Sequence, residues 1–208
     1  MTDIVVLVSG GGTNLQALID GIENKTVTNA RIVAVISSKA DVYALERAKT
    51  HNIPSHVVER KTYTDLGKYE TDLLELFKSY NPGLIVHAGF LSILGDEICK
   101  KYANRMINIH PALIPSFCGK GFYGLKVHQA VLDKGIKLTG ATVHFVNEIP
   151  DGGAVIMQKA VEVMDNDTPE TLQQRVMTEA EQILLPAAVN YYCNGKIITE
   201  GNKARIIS

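Results

Sequence analysis

Apolar residues follow two different periods along the first half of the chain. Residues 4–8 form an uninterrupted apolar run, which is typical of a strand buried on both faces of a parallel sheet. The next apolar positions recur at helical spacing: Leu15, Leu18, Ile19 and Ile22. Further strands are predicted at 31–36, 56–58, 84–88 and 105–109, and further helices at 42–50 and along the stripe Leu66, Tyr69, Leu73 and Phe77. This alternation predicts a parallel, doubly wound sheet.

The pattern changes in the second half of the chain. Two longer strands are predicted at 139–146 and 154–163, joined by a hairpin-like connection. A last helix is predicted to begin at Asp167-Thr168-Pro169-Glu170, where a cap, an early proline and a glutamate agree. Its buried face is predicted to comprise Leu172, Val176, Ile183 and Val189, and the tail near Ile197 is predicted to add an edge strand. The predicted fold class is therefore α/β, a Rossmann-like, mostly parallel twisted sheet with helices on both faces and an antiparallel C-terminal hairpin.

Length and composition narrow the class of protein. The 208 residues predict one domain, 1–208, that is long enough to bury a sizeable core. A formal net charge of −1 gives no reason to expect nucleic acid or a membrane as the main partner. No basic segment precedes the first apolar run, so no signal peptide is expected. Three widely separated cysteines fit neither a disulfide framework nor a zinc site, so a cytoplasmic location is expected.

Candidate chemistry concentrates where the predicted strand 105–109 ends. Asn108 and His110 precede Pro111, and side chains two residues apart on a strand face the same side, roughly 7 Å apart. Asn108 can donate to an oxygen that gains negative charge, and His110 can carry a proton near neutral pH. This pair suits the breakdown of an acyl-transfer intermediate. The structural alternative is a strand-end histidine that caps a carbonyl, beside an asparagine that fills a turn.

A glycine-rich turn follows the first strand. The glycine turn, Ser9-Gly10-Gly11-Gly12-Thr13-Asn14, connects that strand to the first helix, where free N–H groups and the helix dipole bind anions. No lysine follows the glycines, and Leu15 occupies the third glycine position of the dinucleotide fingerprint. We therefore expect a single phosphate monoester, held by Gly12, Thr13 and Asn14. A tight turn without a ligand is the alternative.

Two further segments carry candidate groups. Residues 88–94 combine Gly89 with apolar side chains that suit a flat heterocycle, although such a run is also typical of core. Asp151 precedes two glycines, so its carboxylate could reach His110 and favour the charged imidazole, although aspartate here is often a turn residue. Ligands bind outside the carboxyl ends of parallel strands, where most of these segments fall. His128 and His144 are interpreted as packed or hydrogen-bonded.

Five segments of the chain match those of a known family in order and spacing. They are Ser9-Gly10-Gly11-Gly12-Thr13-Asn14-Leu15-Gln16, Ala88-Gly89-Phe90, Asn108-Ile109-His110-Pro111, Val143-His144-Phe145-Val146 and Asp151-Gly152-Gly153. The chain resembles the folate-dependent phosphoribosylglycinamide formyltransferases over essentially its whole length. The resemblance implies the formyltransferase fold, with a nucleotide-binding half at about 1–100 and a folate-binding and catalytic half at about 101–208.

The resemblance also implies an activity and its residues. A formyl group would pass directly from 10-formyltetrahydrofolate to the amine of glycinamide ribonucleotide, with neither metal nor ATP, in a monomer or homodimer that serves purine biosynthesis. The glycine turn would hold the substrate phosphate through Gly12, Thr13 and Asn14. The implied catalytic residues are Asn108, His110 and Asp151. The implied folate pocket comprises Leu91, Ser92, Ile93, Leu94, Asn108, Asn147, Glu148, Ile149, Pro150 and Asp151.

The chain departs from the family pattern at three positions. The ribose-contacting glutamate of the last helix is Glu181 when counted back from Pro186, but the count forward from Arg175 ends at Ala180. The helix therefore carries one extra residue. Ser92 and Leu66 stand where the family often has basic residues, so we expect different contacts to the glutamate tail of folate.

The resemblance leaves other functions to be distinguished. They are another 10-formyltetrahydrofolate-dependent formyltransferase, a formyltetrahydrofolate hydrolase, or a binding module that keeps both pockets without turnover. No additional tRNA-binding or regulatory domain is expected from the length. In the hypothesis for the enzyme, Asn108 and protonated His110 stabilise the oxyanion, His110 donates a proton as the folate nitrogen leaves, and Asp151 keeps His110 charged.

Overall fold

The computed structural model describes residues 1–207, in which strands and helices alternate through the first half of the chain as the sequence predicts. The strands are β1 (Thr2–Val8), β2 (Ala30–Ser37), β3 (Ser55–Val57), β4 (Leu84–His87), β5 (Met106–His110), β6 (Leu138–Phe145), β7 (Val155–Glu162), β8 (Ile197–Glu200) and β9 (Lys203–Ile206). The α-helices are α1 (Thr13–Glu23), α2 (Tyr43–Thr50), α3 (Leu66–Tyr80), α4 (Asp96–Lys101), α5 (Leu125–Asp133), α6 (Pro169–Val176) and α7 (Gln182–Cys193). A 3₁₀ turn covers Arg60–Thr62, and a π-helical turn, Met177–Glu181, joins α6 to α7.

Seven strands form one sheet in the order β3-β2-β1-β4-β5-β6-β7. The strands β1 to β5 pair in parallel, whereas β6 and β7 pair antiparallel. This confirms the predicted fold class, a mostly parallel sheet that ends in an antiparallel hairpin. The chain order reverses between β1 and β4, so the carboxyl ends of these two strands flank the crevice where such sheets bind ligands.

The core lies on both faces of the sheet, which explains the uninterrupted apolar run in β1. Ile4, Val6 and Val8 pack on the face covered by α1 and α7, while Val5 and Leu7 pack on the face covered by α3 and α4. Alternate side chains of a strand point to opposite faces, so a strand covered on both faces needs apolar residues throughout. The run is thus a consequence of helices on both sides.

Three local predictions were wrong. Ile183 is 50% exposed rather than buried, because the π-helical turn rotates α7 relative to α6. Leu66 is 47% exposed, because it begins α3 directly after the capping residue Asp65 instead of lying on the helix's buried stripe. The tail near Ile197 pairs with β9 in a separate two-stranded sheet and does not extend the large sheet. Within residues 1–207, no helix combines the length and apolar character needed to cross a bilayer.

His128 is a core residue without polar partners. It lies on α5, is fully buried, and neither ring nitrogen has a hydrogen-bond partner among residues 1–207. The interpretation as a packed residue is therefore confirmed, but not as a hydrogen-bonded one. Burial, followed by the nearby charge of His110, lowers the pKa of His128 from 6.5 to about 4. The folded chain thus holds this imidazole neutral.

Replacing His128 by leucine should make the protein less sensitive to acid. The folded pKa lies below the unfolded one, so the neutral imidazole contributes stability fully above pH 6.5 and loses it as the pH falls towards 4. Between pH 7 and pH 5 the wild type should lose about 2 kcal/mol more free energy of unfolding than His128→Leu. Urea unfolding of both proteins at both pH values measures this difference, and parallel losses would contradict it.

Candidate active site

A cleft of about 780 Å³ opens at the carboxyl edge of the sheet. The glycine turn after β1 and the segment after β4 form two of its walls, and the end of β5 forms its floor. Its remaining walls come from residues 119–124, from Pro150 and Asp151, and from Gln173, Met177 and Glu181. The cleft has the size of a small-molecule site. The segments that the sequence analysis assigned to one edge thus meet there.

Asp151 lies at the centre of the polar groups in this cleft. Its Oδ2 atom is 3.5 Å from His110 Nδ1 and accepts a hydrogen bond from the Gly119 N–H at 2.8 Å. Its Oδ1 atom is 3.5 Å from His144 Nε2. Asp151 has a φ of 56°, which aspartate tolerates better than most residues. A side chain at Gly153 would overlap the Phe145 carbonyl, so the loop that carries Asp151 returns very close to β6.

His144 orients the amide of Asn108. The two residues are direct partners in the antiparallel β5–β6 pair. His144 Nδ1 donates to the carbonyl of Phe145 at 2.7 Å, which leaves Nε2 as the acceptor for Asn108. Asn108 Nδ2 donates to that nitrogen at 3.1 Å and lies 3.5 Å from Asp151 Oδ1. One amide hydrogen is therefore used by His144, and the other faces Asp151, which lines the cleft.

The role of His144 was missed by the sequence interpretation, which assigned it only packing or hydrogen bonds. It does make hydrogen bonds, but they lie within the group around Asp151. The pairing of β5 with β6 could have indicated this role, because His144 lies opposite Asn108 and residues opposite each other in an antiparallel pair share one face.

His87, at the end of β4, is buried edge-on against Phe90, and burial lowers its pKa to about 3.

His110 is held from two sides. Its Nε2 atom donates to the carbonyl of Phe117 at 2.8 Å, because a carbonyl can only accept. The proton that changes during titration is therefore on Nδ1, which faces Asp151. Phe117 has a φ of 50° and its side chain packs against the core. The segment between His110 and Phe117 is tied to β6 by Thr142, whose hydroxyl accepts from the Ile114 N–H and donates to the Ala112 carbonyl.

Burial and charge act in opposite directions on this pair. Burial lowers the pKa of His110, and its effect exceeds the raising effects of Asp151 and the Phe117 carbonyl, so the net pKa is below the ordinary value. Asp151 thus favours the charged imidazole as predicted, but in the free protein burial has the larger effect on the pKa of His110. For Asp151 itself, burial raises the pKa, but His144, His110 and the Gly119 N–H together hold it below its ordinary value.

The π-helical turn places Glu181 beside the glycine turn. Glu181 Oε2 accepts a hydrogen bond from Asn14 Nδ2 at 2.7 Å, and Thr13 Oγ1 lies 3.0 Å from Met177 Sδ. A π turn takes one more residue than an α turn, which accounts for the two conflicting counts along the sequence. Ala180 lies in the core, whereas Glu181 lines the cleft. Burial raises the pKa of Glu181, and the hydrogen bond from Asn14 lowers it by less.

The residues assigned to a folate pocket do not all lie on the cleft. Leu91, Ser92 and Ile93 line it, and the Leu91 N–H donates to Ser9 Oγ at 2.8 Å. Leu94 is only 7% exposed and packs in the core on the α3 face instead. Of the residues in the β6–β7 connection, Pro150 and Asp151 line the cleft, while Asn147, Glu148 and Ile149 lie outside its lining.

The fold and the cleft together define a doubly wound α/β protein with a small-molecule site at the carboxyl edge of its sheet. The family model described as formyl transferase matches residues 2–189. The chain therefore belongs to the formyl transferase family, whose members use a folate-type formyl donor.

Individual relatives agree with this assignment. The chain is 35% identical over 202 residues to the phosphoribosylglycinamide formyltransferase of Escherichia coli, and the aligned region covers 97% of this chain and 92% of that protein. It is 40% identical over 194 residues to the trifunctional purine biosynthetic protein adenosine-3 of Bos taurus, covering 93% of this chain but only 18% of that protein. The crystal structure of glycinamide ribonucleotide transformylase 1 from Symbiobacterium toebii superposes with a TM-score of 0.93 at 35% identity, covering 100% of this chain and 95% of the other.

Replacing Asp151 by asparagine should lower the pKa of His110 further. The Asp151 charge raises this pKa, so its loss leaves burial unopposed except by the Phe117 carbonyl. In an NMR titration, the His110 ring protons of Asp151→Asn should titrate at lower pH than those of the wild type. Glu148→Gln, which removes an exposed charge from the same loop, serves as the control. Equal His110 titrations in the wild type and Asp151→Asn would show that the two side chains are not electrostatically coupled.

Proposed function

We propose that this chain transfers the formyl group of 10-formyltetrahydrofolate to the amine of glycinamide ribonucleotide. One arrangement carries the proposal: Asn108, His110 and His144 converge on Asp151 beside a cleft that is also lined by the glycine turn, and β4 separates the strands that carry the turn and Asn108. A phosphate and a reactive amine are the two ends of this nucleotide, so the cleft offers a separate site for each. Membership of the formyl transferase family supports the reaction type.

In the proposed reaction the substrate amine attacks the formyl carbon and forms a tetrahedral oxyanion. Asn108 Nδ2 donates to that oxygen through the hydrogen that faces Asp151 at 3.5 Å in the free protein, while His144 holds the other hydrogen. The attacking nitrogen must lose one proton, and the folate nitrogen must gain one when its bond to the formyl carbon breaks. The products are the formylated amine and tetrahydrofolate.

His110 carries this proton in the proposal. Because its pKa is lowered, the imidazole begins neutral at pH 7 rather than protonated. Nδ1 then takes the proton from the attacking amine and returns it to the leaving folate nitrogen. Asp151, 3.5 Å away, stabilises the imidazolium while it exists. A neutral starting state distinguishes this scheme from one in which His110 is already the acid in the free protein.

The remaining cleft residues position the two substrates. Gly12, Thr13 and Asn14 bind the phosphate, and Glu181 accepts hydrogen bonds from the ribose hydroxyls. Leu91, Ser92 and Ile93, together with Pro150, enclose the flat ring of the folate. Family resemblance and the lining of the cleft support these roles, and Leu94 contributes only by supporting the segment from the core.

The test is an assay of the whole chain with both substrates and without ATP. We expect N-formylglycinamide ribonucleotide, measured by mass spectrometry, and an equal amount of tetrahydrofolate. Release of tetrahydrofolate without the nucleotide would instead indicate a hydrolase. Binding of both ligands without any turnover would indicate a binding module, and either result would overturn the proposal.

Asn108→Ala should lower kcat by about 10²–10³ if the amide acts as an oxyanion donor. The side chain is only half-buried, and His144 keeps its bond to the Phe145 carbonyl, so the fold should be retained. Steady-state kinetics measures the loss, while thermal melting and folate binding serve as controls. A variant that melts much earlier but turns over normally when folded would show that Asn108 is structural.

A further inference from the structure

The glycine turn packs against α2 on the side that faces away from the cleft. The Gly10 carbonyl accepts a hydrogen bond from the Ala44 N–H at 3.1 Å, and the Gly11 carbonyl accepts one from Arg47 Nε at 2.8 Å. A Cβ atom on Gly12, whose φ is 71°, would lie 2.7 Å from the Cβ atom of Ala44. Two successive carbonyl groups of the turn are thus drawn away from the cleft and towards one helix.

This geometry determines where the turn's N–H groups point. In a planar trans peptide the C=O and N–H bonds point in opposite directions. Since the Gly10 and Gly11 carbonyls face α2, the N–H groups of Gly11 and Gly12 face the cleft. Among residues 1–207, neither N–H donates a hydrogen bond. Successive N–H groups that converge in this way form an anion-binding concavity.

Arg47 is the side chain that fixes the second of these peptides. Its Nη1 atom donates to Gln16 Oε1 at 3.0 Å, and its guanidinium lies over the Tyr43 ring, 4.8 Å from the centroid. These contacts hold the guanidinium behind the turn, and Arg47 is not among the residues that line the cleft. Its action on a ligand must therefore pass through the Gly11 carbonyl.

We propose that Arg47 is a positioning residue for the substrate phosphate. By holding the Gly11–Gly12 peptide in one orientation, it keeps the Gly12 N–H directed at the bound phosphate. Without this hydrogen bond the peptide can rotate, because glycine on both sides permits other orientations. This inference rests on the proposed function, in which the glycine turn binds the phosphate of the nucleotide.

The test uses two substitutions that match each other in shape. Arg47→Met removes both the donor and the charge, whereas Arg47→Gln removes the charge but keeps an N–H group at the position of Nε. Lys49→Met, which removes an exposed cation from the same helix, is the control. The probes are inorganic phosphate, glycinamide ribonucleotide, and the corresponding riboside, which lacks the phosphate.

In Arg47→Met we expect the affinity for phosphate to fall, and the KM for the nucleotide to rise, by about tenfold to a hundredfold. This range corresponds to the loss of one hydrogen bond to a charged ligand. kcat should be unchanged, because the phosphate is remote from the reacting amine. The shift of the Gly12 amide on addition of phosphate, seen by NMR, should shrink. Turnover of the riboside should be the same as in the wild type, and Arg47→Gln should recover most of the loss.

Different failures overturn different statements. If Arg47→Gln is as weak as Arg47→Met, the charge rather than the orientation matters, and the positioning role is wrong. Equal losses of phosphate and folate binding with a lowered melting temperature would mean a structural role, which also overturns it. If the wild type itself shows no preference for the nucleotide over the riboside, the phosphate site of the proposed function fails together with the inference.

Discussion

The site depends on one carboxylate that is held away from bulk water. Asp151 is largely buried and faces two imidazole rings and one backbone N–H. Burial of an anion is unfavourable unless donors surround it. The donors near Asp151 are the Gly119 N–H, the Asn108 amide and, when it is protonated, His110 Nδ1. The same convergence brings Asn108 and His110 to one point, where burial lowers the pKa of His110 and Asp151 offsets part of that effect. The arrangement of these side chains thus depends on the solvation of one charge.

The direction of β6 makes this convergence possible. Because β6 runs antiparallel to β5, its carboxyl end lies away from the edge where β5 ends, yet residue 144 falls opposite Asn108. The β6–β7 connection then carries Asp151 back over the ends of the side chains, in a loop pressed against the Phe145 carbonyl. A further parallel strand would place no such hairpin loop here. The antiparallel strand β6 and the loop that follows it therefore supply two of the polar groups, His144 and Asp151.

Strong local patterns were predictable from the sequence, whereas contacts between distant segments were not. The β1 run, the glycine turn and the shared face of Asn108 and His110 follow from strand and turn periodicity alone. The hydrogen bond between His110 and the Phe117 carbonyl was not predictable, because every residue has a carbonyl and only the tertiary structure determines which one a side chain meets. The choice between Ala180 and Glu181 also needed the structure. Helical periodicity assumes a constant turn, and the π turn breaks that assumption where it faces the cleft.

The two parts of the cleft offer different kinds of interaction to a ligand. At one end, the glycine turn offers neutral backbone donors whose directions are set by α2. At the other, ionisable side chains offset one another. Glu181 stands beside the first end, where a carboxylate would repel an isolated anion. A ligand that carries hydroxyl donors next to its phosphate relieves this conflict, since the hydroxyls can bond to Glu181 while the phosphate binds the turn. A ribose phosphate has this order of groups, and it is the ligand of the proposed function.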